Sequence, residues 1–365
     1  SAAVTKLIPP APERAWLDVH LGALVRNARR YQELAGTPLL PMVKANGYGL
    51  GAGPVARALE PLEPWGYGVA GVGEGAELRE AGIARPIVVF TPLLPDADSL
   101  AAMRAAGLRP VIGDLPALDA WLTSGGGPFH VEIDTGMSRS GFRWHEEETL
   151  PVLAERLASS PDWEGVFTHF HSADSDPTSA LEQAERFHAV LRELPHRPPL
   201  VHLANSAGGS LAPELSGDLA RPGIYLYGGR AGTLQPEAVA RLRARVVALR
   251  RLRPGDTVSY GAEAEVEADT TIATLSIGYA DGVPRSLNSR GLVELGGVIV
   301  PIVGRVTMDM LMVDVEDLPV AAGDVATLYG GLVELDDQAA LAGTVSYELL
   351  TMVSARVPRH YQESA

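Results

Sequence analysis

A parallel (β/α)8 TIM-like barrel followed by a mainly-β domain is the α/β architecture this sequence predicts, on three observations. Residues 35–230 alternate short apolar runs with amphipathic stretches of helical period. From about residue 235 the pattern changes to β-branched runs broken by Pro-Gly, Asp-Gly and Gly-Gly turns. A chain of 365 residues is also long enough to bury two cores. The expected division is 1–235 for the barrel and 236–365 for the β domain, with Leu234-Gln235-Pro236 as the linker.

In the first part the apolar runs are 38–44, 65–70, 86–91, 109–113, 129–134, 163–170, 200–205 and 218–225. Between them, segments such as 75–82, 99–107, 115–124, 146–159 and 178–194 carry apolar residues every three or four positions, and several end in Gly. Eight strand-then-helix units of this length favour a closed barrel over an open sheet. In the second part, 246–252, 258–260, 270–277, 291–300 and 324–328 read as strands, and only 346–354 reads as a helix. Arg241, Arg243 and Arg245 alternate with other residues, the period of one solvent-facing side of a strand.

Composition excludes several classes. A formal net charge of −15 argues against a polyanionic partner, so no nucleic acid is expected. Zero cysteines exclude disulfides, thiolate nucleophiles and Cys-ligated metal, and fit a reducing cytoplasm. The sequence shows no apolar run of membrane length and no signal segment, so no membrane partner is expected.

Lys44 is the most telling residue, because the only lysines are Lys6 and Lys44. Arg supplies charge but cannot form an imine, whereas a primary amine in a buried site can attack an aldehyde and shuttle a proton. Lys44 ends the apolar run Leu39-Leu40-Pro41-Met42-Val43 and precedes a glycine-rich loop, which is no place for a solubilising lysine. Active sites of such barrels gather at the carboxyl ends of the strands. Lys44, the loop from Asp134 to Arg139, His169, Asn205, Ser206, Arg221, Gly223 and Ile224 all fall there. An amine, an imidazole, a hydroxyl, two guanidinium groups and backbone N–H donors on one rim suit a flat, phosphorylated aldehyde.

These blocks resemble the alanine racemases. Val43-Lys44-Ala45-Asn46-Gly47-Tyr48-Gly49 is similar to the family's pyridoxal 5'-phosphate lysine motif. Asp134-Thr135-Gly136-Met137-Ser138-Arg139, Thr168-His169-Phe170, Ala204-Asn205-Ser206-Ala207 and Arg221-Pro222-Gly223-Ile224-Tyr225 follow in the family's order. So do Val258-Ser259-Tyr260-Gly261, Gly278-Tyr279-Ala280-Asp281-Gly282, Val303-Gly304-Arg305-Val306-Thr307-Met308-Asp309, Tyr347-Glu348 and Arg356-Val357-Pro358-Arg359.

The resemblance implies an isomerase that interconverts L- and D-alanine and supplies D-alanine for the cell wall. It implies a cytoplasmic homodimer with shared active sites. Lys44 would bond the cofactor, and Lys44 and Tyr260 would be acid–base groups on opposite faces, Tyr260 coming from the neighbouring subunit. Removing a proton from one face and returning one to the other needs two groups. Read without the resemblance, Tyr260 is an ordinary strand tyrosine. Arg221 would face the ring nitrogen with His202 behind it, and His169 would pack on the ring. Tyr48, Asn205, Ser206, Gly223, Ile224 and Tyr347 would complete the cofactor site. Arg139, Tyr279 and Met308 would border the substrate, with Asp309 as a support.

Three departures stand out. Glu132 replaces a lysine that is often carbamylated, so a permanent carboxylate is expected to orient Arg139. Thr307 replaces a frequent Cys, which leaves fine specificity open; Leu50 stands where His is common. A serine or broader-specificity amino-acid racemase is the alternative reading.

Four other readings compete with this one. His169 and His171 with Asp174 could form a metal cluster, but no ligand-spaced partner follows, so no metal is expected. Gly71-Val72-Gly73-Glu74-Gly75-Ala76 matches a dinucleotide fingerprint without the acid on the next strand. Related two-domain decarboxylases place an acid at the ring nitrogen and use a cysteine, which this chain lacks. A non-catalytic carrier of the cofactor would need only the barrel.

Overall fold

The computed structural model describes residues 12–203, 205, 215 and 217–363. Lys6 and Ser206 therefore lie outside the described residues. The chain divides into two units, one of residues 20–239 and one joining the amino-terminal segment to 240–361.

In the first unit, six strands pair in parallel in chain order: Tyr67–Val69, Ile87–Val89, Arg109–Ile112, Phe129–Asp134, Trp163–Phe167 and Leu200–His202. Single parallel bridges continue the ring. Asn205 pairs with Arg221, Leu39 with Ala220 and Met42 with Gly68, so the runs at 38–44 and 218–225 close the barrel without becoming full strands. Proline explains part of that economy, since Pro38, Pro41 and Pro222 interrupt the ladder's N–H donors. The short strand Phe142–Arg143 was not expected; it pairs with the end of Phe129–Asp134.

The helices Val72–Glu80, Ala97–Ala105, Leu115–Thr123, Thr149–Ala158 and Pro177–Glu193 follow their strands. Asp96 accepts the Ser99 N–H (2.9 Å), Asp114 that of Ala117 (2.8 Å) and Asp176 that of Ser179 (3.3 Å), as N-caps do. Barrel strands read as unbroken apolar runs because both faces are covered: all six residues of Phe129–Asp134 are buried. Leu40, Val88, Val111, Phe167 and Leu219 form one interior cluster.

The second unit is an antiparallel eight-stranded sheet. Its long strand Ala240–Leu252 pairs with Val325–Tyr329 along its first half and with Thr270–Leu275 along its second, which closes the sheet on itself. Gly296 and Gly297 make a two-residue hairpin turn with φ of 63° and 80°, so the expected strand 291–300 is two, Leu292–Leu295 and Val298–Val303. A helix at Leu335–Leu341 precedes Ser346–Thr351, where only the latter was expected.

The amino terminus corrects the expected 1–235 and 236–365 division. Residues 15–19 pair antiparallel with 240–244, so they belong to the β unit. Trp16, Leu17 and Val19 bury their side chains there. The Arg241, Arg243, Arg245 face is half-exposed and taken up internally. Arg243 pairs with Asp18 at 3.1 Å, and Arg245 lies over Trp16 at 5.0 Å.

Candidate active site

Lys44 opens a short turn, Lys44–Tyr48, in which Ala45, Asn46, Gly47 and Tyr48 have φ between 51° and 61°. Only Gly takes that left-handed conformation freely, at a cost of about 1–2 kcal/mol per residue for others. The turn is held from outside. Asn46 Oδ1 accepts the Ala52 N–H (3.0 Å), and Glu74 Oε2 accepts the Ala45 N–H (2.6 Å). Glu74 Oε1 also takes the N–H groups of Ala70 (2.7 Å) and Gly71 (3.1 Å). That carboxylate fills the helix N-terminus at which the dinucleotide reading would have put a phosphate.

Lys44 stays accessible to solvent, yet burial of its surroundings and then the Arg139 charge lower its pKa, with Glu74 opposing. His169 is held neutral, its pKa pushed down to about 3 by burial and then by Arg221, Arg139 and Lys44. One imidazole thus lies within the field of all three cations, which places Lys44, Arg139, His169 and Arg221 around a single region.

The Arg139 loop is shaped by Asp134, whose Oδ1 accepts the N–H groups of Gly136 and Ser138, both at 3.0 Å. Gln183, from the helix Pro177–Glu193, ties this loop to the neighbouring one. Its Nε2 donates to Thr135 Oγ1 (3.1 Å) and to the His169 carbonyl (3.0 Å). Arg139 itself is exposed. The expected bond from Glu132 to Arg139 is corrected. Glu132 Oε2 accepts from Ser140 Oγ at 2.8 Å and meets Arg139 and Arg221 only through space. Burial raises the Glu132 pKa more than those neighbours lower it.

Arg221 is buried, and three of its five N–H groups go to His202 Nδ1 (2.7 Å) and the carbonyls of Thr168 (2.9 Å) and Leu203 (3.2 Å). Burial lowers its pKa to about 10, still far above neutrality. Asn205 bridges to Arg221, and its carbonyl accepts from Tyr31 Oη at 2.7 Å. Tyr48 stacks on Tyr227, with centroids 4.4 Å apart. At Gly223 a Cβ would collide with Tyr48 Oη, so the absent side chain lets that phenol lie directly against the backbone beside the turn at Ile224. The donor set, the phenol packed against Gly223 and an amine of lowered pKa fit a phosphorylated aldehyde such as pyridoxal phosphate.

In the β unit, Tyr260 is not in a strand. It sits in the turn Tyr260–Ala262 after Ser259 and is 70% exposed. Tyr279, Met308 and Met310 are exposed too, and with Arg285 and Arg305 they line a cleft of about 580 Å³. Tyr279 and Ala280 donate to the carbonyls of Thr307 (2.9 Å) and Met308 (3.0 Å), so the two segments form one surface. Asp309 pairs with Arg356 at 2.7 Å. Buried Asp281 receives Arg356 (2.6 Å) and Arg14 (2.8 Å), an anchor the sequence reading missed. Thr307 Oγ1 donates to the Met310 carbonyl at 2.7 Å, so its hydroxyl closes the loop. Tyr347 is exposed on the helix Ser346–Thr351.

Among the described residues no group of three or more His, Cys, Asp or Glu could hold a metal. No described helix is long and apolar enough to cross a membrane.

Family models for the alanine racemase N-terminal domain and C-terminal domain match residues 19–231 and 239–361. The chain is 39% identical to the alanine racemase of Symbiobacterium thermophilum, over 95% of this chain and 96% of that one. It is 38% identical to that of Deinococcus radiodurans, over 95% and 98%. Among solved structures, the biosynthetic alanine racemase of Pseudomonas aeruginosa superposes with a TM-score of 0.88 at 33% identity, covering 96% of this chain and 100% of that one. The Bartonella henselae enzyme, solved with covalently bound pyridoxal phosphate, gives 0.88 at 29% identity over 96% and 100%.

Proposed function

The chain belongs to the alanine racemase family of pyridoxal-phosphate-dependent isomerases, and on that premise we propose that it interconverts L- and D-alanine with Lys44 and Tyr260 as its two acid–base groups. The observation that carries the reading is the convergence of Lys44, Arg139, His169 and Arg221 at the barrel's strand ends.

Bound there, the cofactor supplies an aldehyde for Lys44 and an electron-accepting ring that acidifies the substrate's α-hydrogen. The residues assigned to hold it are Lys44, Tyr48, Arg139, His169, Asn205, Ser206, Arg221, Gly223, Ile224 and Tyr347. Lys44, its pKa lowered, holds or releases a proton at the α-carbon from one face. Tyr260 does the same from the other. Arg221, which keeps its own proton, would donate to the ring nitrogen and leave it unprotonated, so that charge would remain at the α-carbon. Arg221 would thereby favour return of the proton to that carbon over its delivery to the cofactor, the route to transamination. Arg139 holds the substrate carboxylate, while Tyr279 and Met308 limit side-chain size. Glu132 and Asp309 support these groups.

A homodimer completes the proposal. Tyr260, Tyr279, Met308 and Met310 form an exposed aromatic and thioether surface, which suits a second copy. Absence of cysteine suits a cytoplasmic enzyme that supplies D-alanine for peptidoglycan. Chiral product analysis with alanine, serine and a basic amino acid tests the assignment. Alanine should turn over fastest; faster serine turnover would move the assignment to the broader racemases.

A further inference from the structure

We propose that His130 and Glu164 are positioning residues for the cofactor site, fixing the protons of two buried imidazoles so that His202 presents a bare Nδ1 to Arg221. The proposal deepens the racemase reading and rests on Arg221 facing the cofactor ring.

The distances define one chain of contacts. Arg221 Nη1 lies 2.7 Å from His202 Nδ1, His202 Nε2 lies 2.9 Å from His130 Nδ1, and His130 Nε2 lies 3.0 Å from Glu164 Oε1. Arg109 Nε stands 3.3 Å from the same Glu164 oxygen. Both imidazoles are fully buried.

The donor inventory allows one arrangement. A guanidinium only donates, so His202 Nδ1 must accept and a neutral His202 carries its proton on Nε2. That N–H needs an acceptor, so His130 Nδ1 must be bare and His130 carries its proton on Nε2. Glu164 then takes that last N–H as an ionised carboxylate. A proton added to either ring would set two donors against each other. Physical setting agrees: burial holds both histidines below the usual imidazole range. At Glu164 burial pushes the other way, but the bond from His130 and the nearby Arg109 hold the carboxyl below its usual range.

The fold builds this relay deliberately. Phe129 pairs with Trp163 but His130 pairs with Gly165, which leaves Glu164 as the extra residue of a β-bulge. A bulge re-aims a side chain, and here the re-aimed group is the acceptor that ends the relay. Gly165 has no Cβ, and one would collide with His130 Nδ1. Phe167 stacks on His202 at 4.9 Å and 9°, and Trp65 packs against His130 at 5.7 Å. Both imidazoles are fully buried beneath these rings, so each ring nitrogen depends on its protein partner.

Without Glu164, the His130 N–H is stranded. The escape is to move that proton to Nδ1, which forces His202 to turn its own proton toward Arg221. The error therefore travels to the guanidinium and loosens its hold on the ring nitrogen.

The test compares holoenzyme carrying 15N-labelled histidine with its Glu164→Leu and Glu164→Gln variants. Gln keeps an acceptor oxygen; Leu removes it. Long-range 15N spectra should show the Nε2–H form for both His130 and His202 in the parent and in Glu164→Gln. In Glu164→Leu both signals should change, kcat should fall at least tenfold, and KM should move less than threefold. The cofactor's absorption band should also shift in that variant alone. His202 carrying its proton on Nδ1 in the parent would overturn the proposal, as would unchanged histidine signals or turnover within twofold in Glu164→Leu. Should the Leu variant not fold, the parent spectrum and the Gln variant decide it. The same spectra after cofactor removal test the relay alone, so a failed racemase reading would show as intact tautomers in a protein that never binds the cofactor.

Discussion

Gly223→Ala probes the proposed phosphate cradle with one methyl group. The added Cβ would overlap Tyr48 Oη and stand 3.1 Å from Tyr48 Cζ, well inside ordinary contact. Gly223 does not need a left-handed backbone, so the cost is steric. Tyr48 cannot simply retreat. Its ring face is stacked on Tyr227 at 4.4 Å, and Tyr227 is pinned by a 2.6 Å bond from its hydroxyl to the Met42 carbonyl, so moving the phenol disturbs that pair. Overpacking of this kind costs about 1–3 kcal/mol, and spoiling the aromatic pair removes about 0.5–1.5 kcal/mol. The two overlap, so a loss of about 2 kcal/mol is expected in urea unfolding of the cofactor-free protein. Cofactor affinity should fall about 10–100-fold, because the methyl displaces the phenol from the backbone assigned to the phosphate; that is about 1.4–2.8 kcal/mol. Absorbance titration of the cofactor-free protein measures it. Tyr48→Phe is the control: the stack survives, stability stays within about 1 kcal/mol, and affinity falls less. A Gly223→Ala protein that binds pyridoxal phosphate as tightly as its parent, at equal stability, would refute the cradle.

The other predictions follow from the same geometry. Lys44→Arg keeps the positive charge but cannot bond the aldehyde, so the borohydride-sensitive absorption band should vanish and racemisation should drop by at least about 10³-fold. A residual covalent band would show the lysine to be misassigned. His169 has a folded pKa of about 3, below that of an unfolded histidine. In the window between the two values only the unfolded chain takes up the proton. Its contribution to stability is therefore complete above pH of about 6.5 and is lost as pH falls through that window, which urea unfolding of the parent and His169→Gln at a series of pH values would detect as a flatter profile in the variant. Glu132 has a raised pKa, so the sign reverses: ionising it costs stability as pH climbs from the unfolded to the folded value. Glu132→Gln should gain stability relative to the parent above that window yet bind alanine less well, and unchanged KM and turnover would dismiss Glu132 as a support for Arg139.

The sequence made part of this site legible because chemistry restricts which residue types can serve. Lys44 stood out because arginine cannot replace a reactive amine, and the rim position followed from strand periodicity. Its left-handed turn was hidden: Ala45, Asn46 and Tyr48 adopt positive φ without being glycine. That strain is held by Glu74 from the next strand–helix unit, a contact no local pattern encodes. The strand 15–19 escaped for a similar reason, since its partner begins at Ala240 and pairing at such separation leaves no periodic trace. Tyr260 was expected in a strand, but Ser259 at φ 68° ends the ladder after Val258 and the phenol is exposed. Glu132 was paired with Arg139 by charge alone; the closer hydroxyl of Ser140 takes the carboxylate instead. The link from His130 to Glu164 depends on a bulge, which shifts register by one residue and leaves composition unchanged.

Exchange of the substrate's α-hydrogen in heavy water, measured separately for each alanine enantiomer with Tyr260→Phe, goes straight to the two-base claim. One enantiomer should still exchange its α-hydrogen with its configuration retained, through Lys44, while conversion to the mirror form falls by about 10² or more. Equal loss of exchange for both enantiomers, or racemisation at the parent's rate, would contradict it.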